Sequence, residues 1–240
     1  MTQSRADVIA HSDDLVNLAT AKRELCTYGH RAYARGLVSA NEGNLSVRLG
    51  RREVLCTASL VCKGFMRPRD LCRVDMSGRQ LAGKRPVSSE LGLHLAIYAG
   101  RPDVNAIMHC HPPHALAFAI TGEAIPIGIL PEAELFLGDV PAIPYVQPGS
   151  AELGSTVRSQ IGTANTVLLA NHGAVSCGAD LETAWLRAEI LEAYCRVLFL
   201  ARQLGPLRKL SPQQVAELRR HKAVWDERMK AKGPRMKDER

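Results

Sequence analysis

Three strand-length runs follow one another with only turns between them, and this constrains the fold more than any other feature. Leu45, Val47 and Leu49 alternate with polar neighbours; Glu53–Thr57 and Leu71–Asp75 follow, with Ser77-Gly78 as a turn. Consecutive strands of this kind break the strict βαβ alternation that an all-parallel sheet requires. Helical periodicity brackets them. A helix is expected from Ser12, a suitable N-cap, to a stop at Gly36, with Leu15, Leu18, Leu25, Tyr28 and Ala32 on one face. Others are expected from Ser88 (carrying Leu91, Leu95 and Tyr98), over Pro113–Ile120, over Ala151–Ile161 and over Asp180–Leu204. Val104–His111 and Thr166–Ala170 read as strands, and Ala124–Leu130 and Pro141–Val146 as extended runs punctuated by proline. The expected architecture is α/β: three layers, α/β/α, around a central, mainly antiparallel sheet. At roughly 150 residues per domain, 240 residues make one large domain or two small ones. No linker of boundary quality precedes residue 205, so the division is residues 1–205 as one domain and 206–240 as a basic helical tail.

Charge tests the function classes. The formal net charge is +7, which invites a nucleic-acid or membrane-surface reading. Residues 1–201 are balanced, however, and the whole excess lies in residues 202–240. Aromatics are only 5% of the chain, too few for stacking platforms along single-stranded nucleic acid. No run approaches the ~18 apolar residues of a membrane span, and residues 1–7 lack the apolar core of a signal peptide. Seven scattered cysteines, none in Cys-x-x-Cys spacing, read as free thiols in a reducing cytoplasm. Neither nucleic acid nor membrane is expected as a partner.

Period-2 geometry decides how Val104–His111 is read. Successive strand side chains face opposite ways, so His109 and His111 project from one face while Ala106, Met108 and Cys110 form the other. Two imidazoles so placed can bind one metal ion. His172, at the end of the apolar strand and followed by Gly173, supplies a third ligand, and three protein ligands plus an open position suit a catalytic zinc. His114 lies beyond Pro112-Pro113, where the chain turns away, and reads as a structural or pocket-edge residue. Small polar motifs precede the histidines: Gly43-Asn44-Leu45-Ser46, Thr57-Ala58-Ser59, and Ser88-Ser89-Glu90. Hydroxyls and backbone N–H groups of this kind bind phosphate at turns and helix starts; Glu90 alone would pass as a surface acid favoured by a helix dipole.

In this order, the motifs GN-x-S, T-x-S, SSE, H-x-H and NHG resemble the class II aldolase/adducin family, and within it the branch typified by L-fuculose-1-phosphate aldolase. The resemblance extends over about residues 10–205 and includes Arg101-Pro102-Asp103-Val104 and Pro144–Gly149. It implies that His109, His111 and His172 bind Zn2+ or another divalent metal. Glu90 would be the catalytic acid/base, completing the metal shell when no substrate is bound. Gly43, Asn44, Ser59, Leu60, Ser88 and Ser89 would bind the substrate phosphate, with Leu60 where relatives have Gly and Ala58 where Pro is usual. The implied assembly is a homotetramer with sites between subunits, the C-terminal segment lying near a neighbour's site.

The implied reaction is zinc-dependent retro-aldol cleavage of a ketose 1-phosphate to dihydroxyacetone phosphate and a short aldehyde through an enediolate. The metal would act as Lewis acid and Glu90 would shuttle the proton. A Schiff-base route has only Lys63, in Cys62-Lys63-Gly64-Phe65, as a loop-like candidate, and it leaves three histidines without a role. Pentulose-5-phosphate 4-epimerases and sugar-acid-phosphate decarboxylases share the metal site. Glu132 and Glu134 occupy a region where epimerases carry an extra acid, and otherwise read as a solvated loop or subunit contact. Leu130 stands near a position where the fuculose enzyme has an aldehyde-side Tyr. Adducin-type members are non-catalytic interaction modules, but they lose the metal histidines that this chain retains.

Overall fold

The computed structural model describes residues 17–231, with side chains through Lys222. The first helix, α1 (Leu18–Ala34), starts later than its periodicity suggests, because Asn17 caps it by accepting from the N–H groups of Ala19 and Thr20. Ser12, the expected cap, lies outside the described residues. Its buried face is Ala21, Leu25, Cys26, Gly29 and Ala32. Three strands then form a meander, β1 (Asn44–Arg48), β2 (Glu53–Thr57) and β3 (Leu71–Asp75), continued by a short exposed edge strand, β4 (Gln80–Ala82). Two 3-10 turns, Lys63–Phe65 and Pro68–Asp70, fill the β2–β3 connection.

Beyond the meander come α2 (Leu91–Gly100), β5 (Ala106–Cys110), α3 (Pro113–Thr121), α4 (Pro131–Phe136), β6 (Ala142–Ile143) and α5 (Ala151–Gln160). The chain closes with β7 (Thr166–Leu169), β8 (Gly173–Gly178), α6 (Leu181–Leu204) and α7 (Pro212–Ala231). The eight strands form one sheet in the order β4-β3-β2-β1-β5-β8-β7-β6. Every pair is antiparallel except β6 with β7. α1 and α6 pack on one face of the sheet, and α3 joins α6 there. The other face carries α2 and α5, packed on each other. The expected three-layer α/β/α architecture is the one observed.

β5 sits in the middle and every one of its residues is buried, since both edges are paired and both faces are covered. Leu25, Leu45, Ile107 and Met108 are completely enclosed, each contributing about 1.5–3 kcal/mol of hydrophobic stabilisation.

Several elements differ from expectation for identifiable reasons. α2 begins at Leu91, with Glu90 in the N-cap position, so Ser88 and Ser89 lie on the approach to the helix and not in it. Ala124–Leu130 forms no strand; it leads into α4, whose Pro131 occupies a first-turn position where its missing N–H costs nothing. Of Pro141–Val146 only Ala142–Ile143 pairs. β8 was not anticipated, because Gly-Ala-Val-Ser-Cys-Gly carries little β propensity; pairing to β5 on one side and β7 on the other imposes the extended form.

Candidate metal centre and adjoining turns

β1 and β5 run antiparallel with Asn44 opposite His109, which places the two side chains on the same face, under α2. The strand–helix seam there is polar. Asn44 Nδ2 donates to Glu90 Oε2 at 2.7 Å, and two residues along, the Ser46 hydroxyl meets His94 Nδ1 at 2.6 Å and the Tyr98 hydroxyl at 2.8 Å. A spacing of two on the strand thus matches a spacing of four on the helix. His94 is enclosed; burial, followed by the proximity of His109, pushes its pKa down to about 3.

His172 arrives from the β7–β8 hairpin, in which Leu169 pairs with Gly173 and Asn171 takes a left-handed φ of 55°. The turn brings His172 against the two strand histidines. Ring centroids are 4.9 Å apart for His109–His111, 4.7 Å for His109–His172 and 5.2 Å for His111–His172. One ligating nitrogen from each lies within 4.8 Å of the others. Glu90 closes the group, with Oε2 3.3 Å from His109 Nε2 and Oε1 3.0 Å from His172 Nε2. Burial raises the Glu90 pKa, but hydrogen bonds from His109 and His172 outweigh it and hold the carboxyl well below the usual carboxylate range. This is not the surface acid that Glu90 alone suggests: its side chain is only 12% exposed.

The donor set fits a divalent cation. His109 Nδ1 lies 3.0 Å from the carbonyl oxygen of Ala174, which can only accept, so Nδ1 carries a proton and Nε2 is the nitrogen that faces the site. His111 Nδ1 lies 2.6 Å from Glu42 Oε2, which fixes the same tautomer. Burial, followed by the neighbouring His109 and His172, pushes His111 down to about 3, so the ring is neutral. The Nε2 atoms of His109 and His111 face each other at 3.1 Å. That separation is close to the ~3.3 Å edge of a tetrahedron with arms of about 2.0–2.1 Å.

Of the six residues expected at a phosphate, Asn44 begins β1 and the other five lie in the turns beside the strands and ahead of α2. A bridge between Ala58 and Val87, and the Ser59 N–H donating to the Pro86 carbonyl at 2.9 Å, set Ser59 and Leu60 beside Ser88 and Ser89. Ser88 Oγ accepts from the Glu90 N–H at 3.3 Å, linking these turns to the acid. Leu60 is 77% exposed and holds φ at 57°, in the left-handed region that a glycine adopts without strain. Gly43, at φ 68°, passes so close to β5 that a Cβ there would lie 2.7 Å from the His109 carbonyl oxygen. Asn44 is placed differently from a free phosphate donor, since its amide N–H2 is engaged by Glu90.

Other candidates resolve into structural roles. His114 Nδ1 lies 2.7 Å from Glu192, which also accepts from the N–H groups of His114 and Ala115 and so caps α3. Glu134 is buried on α4, accepting from the Gly128 N–H and pairing with Arg219 of α7 at 3.0 Å; the solvated-loop reading is corrected. Lys63 is likewise no open loop amine. It is 1% exposed, donates to the carbonyls of Asn41 and Val61 at 2.9 Å each, and is pushed down to about 8 by burial. Glu42 was not anticipated: a single acid in a turn has no periodicity to mark it.

Comparison with known proteins agrees with this geometry. Residues 23–199 match the family model for the Class II Aldolase and Adducin N-terminal domain, and the chain belongs to that family. An L-fuculose phosphate aldolase of Methanococcus maripaludis is 31% identical over 176 residues, 73% of this chain and 94% of the relative. A 3-oxo-tetronate 4-phosphate decarboxylase of Pectobacterium atrosepticum is 33% identical over 205 residues, 82% of this chain and 92% of the relative. Among solved structures, YgbL of Escherichia coli superposes with a TM-score of 0.78 at 30% identity, covering 84% of this chain and 99% of that one. An L-fuculose 1-phosphate aldolase gives 0.80 at 26% identity, over 88% and 99%.

Proposed function

We propose that this chain is a divalent-metal-dependent carbon–carbon lyase that cleaves a ketose 1-phosphate, of the L-fuculose 1-phosphate type, to dihydroxyacetone phosphate and a short aldehyde. The observation that carries the reading is Glu90 bridging His109 and His172 beside the hydroxyl-bearing turns. His109, His111 and His172 would hold Zn2+, which when bound supplies Lewis-acid stabilisation of negative charge on the substrate's oxygens. Backbone N–H groups and hydroxyls of residues 43–44, 59–60 and 88–89 seat the phosphate and orient the chain of carbons. When the carbon–carbon bond breaks, its electron pair stays with the carbon next to the carbonyl. The hydroxyl on the departing carbon gives up its proton as it becomes the aldehyde carbonyl. The Glu90 carboxylate accepts that proton and passes it to the carbon beside the ketone, and the reverse reaction runs the same relay backwards. Asn44 fixes the carboxyl through its contact with Oε2.

A second reading is decarboxylation of a 3-oxo sugar-acid phosphate on the same groups. It is favoured by the decarboxylase relative, which aligns over more of this chain than the aldolase relative does. Both reactions leave an electron pair on the carbon beside a carbonyl, so the residues at the metal centre do not distinguish them; the departing fragment does.

In this reading residues 1–205 are the catalytic unit and residues 206–240 a basic appendage, in a homotetramer of the reducing cytoplasm. The free cysteines support that setting, and among the described residues no helix is long and apolar enough to cross a membrane. The test is metal analysis of the purified protein followed by turnover assays. About one divalent ion per chain, lost in His109→Ala together with turnover, is expected. Release of dihydroxyacetone phosphate from fuculose-, rhamnulose- or ribulose-phosphates supports the first reading, and CO2 from 3-oxo-tetronate 4-phosphate the second. A metal-free protein indifferent to His109→Ala overturns both.

A further inference from the structure

Glu42 has no role in the reaction just described, yet its carboxylate makes a short contact with one of the three histidines. Oε2 lies 2.6 Å from His111 Nδ1, in the range of a charge-assisted hydrogen bond. The bland alternative is a surface ion pair of little consequence. Three features of the segment that carries Glu42 argue otherwise. The His111 N–H donates to the Leu37 carbonyl at 3.0 Å, tying the end of β5 to the start of the segment. Lys63, buried, clamps the Asn41 carbonyl at 2.9 Å. Gly43 then runs against the His109 carbonyl so closely that no side chain fits. The backbone on both sides of Glu42 is therefore fastened, and the carboxylate is held where it meets the imidazole.

We infer that Glu42 is a positioning residue for the metal centre: it fixes the tautomer and the ring plane of His111 so that Nε2 presents its lone pair to the cation, and Lys63 holds the turn that places it. This rests on the metal-dependent reading of the site. His109 has the Ala174 carbonyl as its orienting partner, and Glu42 is the corresponding partner of His111. A carboxylate in that position also makes the imidazole a better donor to a metal. Glu42 touches neither substrate nor reacting atoms in this account; its effect passes through His111.

The experiment uses the full-length protein stripped of metal by a chelator and titrated with Zn2+ in competition with a chromophoric chelator, and separately with Co2+ read by its visible absorption. Glu42→Ala is expected to weaken Zn2+ binding about 10–100-fold and to alter the Co2+ d–d bands, because the His111 ring is no longer held. Glu42→Gln, which keeps a hydrogen-bond acceptor without the charge, is expected to fall between parent and Ala. It also decides the matter if the Ala variant does not fold. Lys63→Met should produce a smaller loss of the same kind, its Co2+ spectrum shifted towards that of Glu42→Ala. Parent-like Zn2+ affinity and Co2+ spectrum in a folded Glu42 variant overturn the inference while leaving the metal site intact. Failure of the parent itself to bind either ion overturns the metal-dependent reading instead.

Discussion

Gly173 begins β8 immediately after His172, and its lack of a side chain is a condition of the metal centre. A Cβ built there lies 2.6 Å from the Cys110 carbonyl oxygen, 2.6 Å from His111 Cδ2 and 3.3 Å from His109 Cε1. Ordinary contacts begin at about 3.5 Å, so Gly173→Ala overlaps its neighbours by roughly 1 Å. The carbonyl belongs to a central strand paired on both edges and cannot yield; β8 must retreat or the His111 ring must turn. Overpacking of this kind costs about 1–3 kcal/mol, which in a domain of this size lowers Tm by roughly 2–12 °C. The effect on the metal is larger in proportion, because ligand distances are held to about ±0.2 Å and a 1 Å displacement takes one nitrogen out of reach. Gly178→Ala is the matched control. Its Cβ meets the Ala184 nitrogen at 2.5 Å and the Asp180 carbonyl oxygen at 2.6 Å, an equal overlap at the far end of the same strand, about 17 Å away. Both variants should lose similar thermal stability without metal. Only Gly173→Ala should lose Zn2+ affinity, by about 10–100-fold as expected when a ligating histidine is no longer held in place, measured by chelator competition. Zn2+ binding by Gly173→Ala as tight as by Gly178→Ala would refute the packing argument.

Replacing Glu90 by Gln should lower turnover by about 10²–10⁴-fold while leaving the metal content near that of the parent; substantial retained activity would reject its acid/base role. His94 gives a pH signature in the metal-free protein. Its pKa is depressed from 6.5 to about 3, so the folded state favours the neutral ring, and this stability is present above pH 6.5 and lost as the pH falls towards 3. Chemical denaturation of the metal-free protein should show a midpoint declining over that window, with a shallower decline in His94→Gln; equal slopes would contradict the assignment. Arg219→Ala removes the cation facing buried Glu134. With Arg219 53% exposed, the cost is about 0.2–1 kcal/mol, and it should appear as faster hydrogen exchange along α7 with the sheet unchanged. Unaltered exchange in α7 would show that the pair does not hold the helix.

What could be read in advance, and what could not, follows from where each residue's constraint comes from. His109 and His111 were legible because the strand period places alternate residues on one face whatever the surroundings, and His172 because a polar residue that closes an apolar strand just before a glycine is either a cap or a ligand. Their constraints are local. Glu42 and Lys63 were not legible as a pair, since the turn that one clamps and the other occupies is defined by contacts to β5 and to the first 3-10 turn. The strand β8 was hidden for the same reason, its extended form being supplied by its neighbours.

The tail shows how such non-local contacts change the meaning of a composition. Taken alone, an excess of +7 confined to residues 202–240 reads as free charge available to attract an anion. Folded, Arg202 pairs with Glu123 at 2.5 Å, Arg219 pairs with buried Glu134, and Lys222 donates to the Leu135 carbonyl. These cations are directed at α4 and the loop before it, where their partners are acids and a carbonyl of the same chain. Charge used in this way docks a helix, and it gives Glu134, which by sequence looked either solvated or catalytic, a structural partner. Steering of a phosphorylated substrate by the tail therefore depends on the cations beyond these contacts. A salt dependence of KM that survives Arg219→Ala but disappears on deletion of residues 226–240 would assign it to them; a KM insensitive to salt in the parent would leave the tail with the docking role alone.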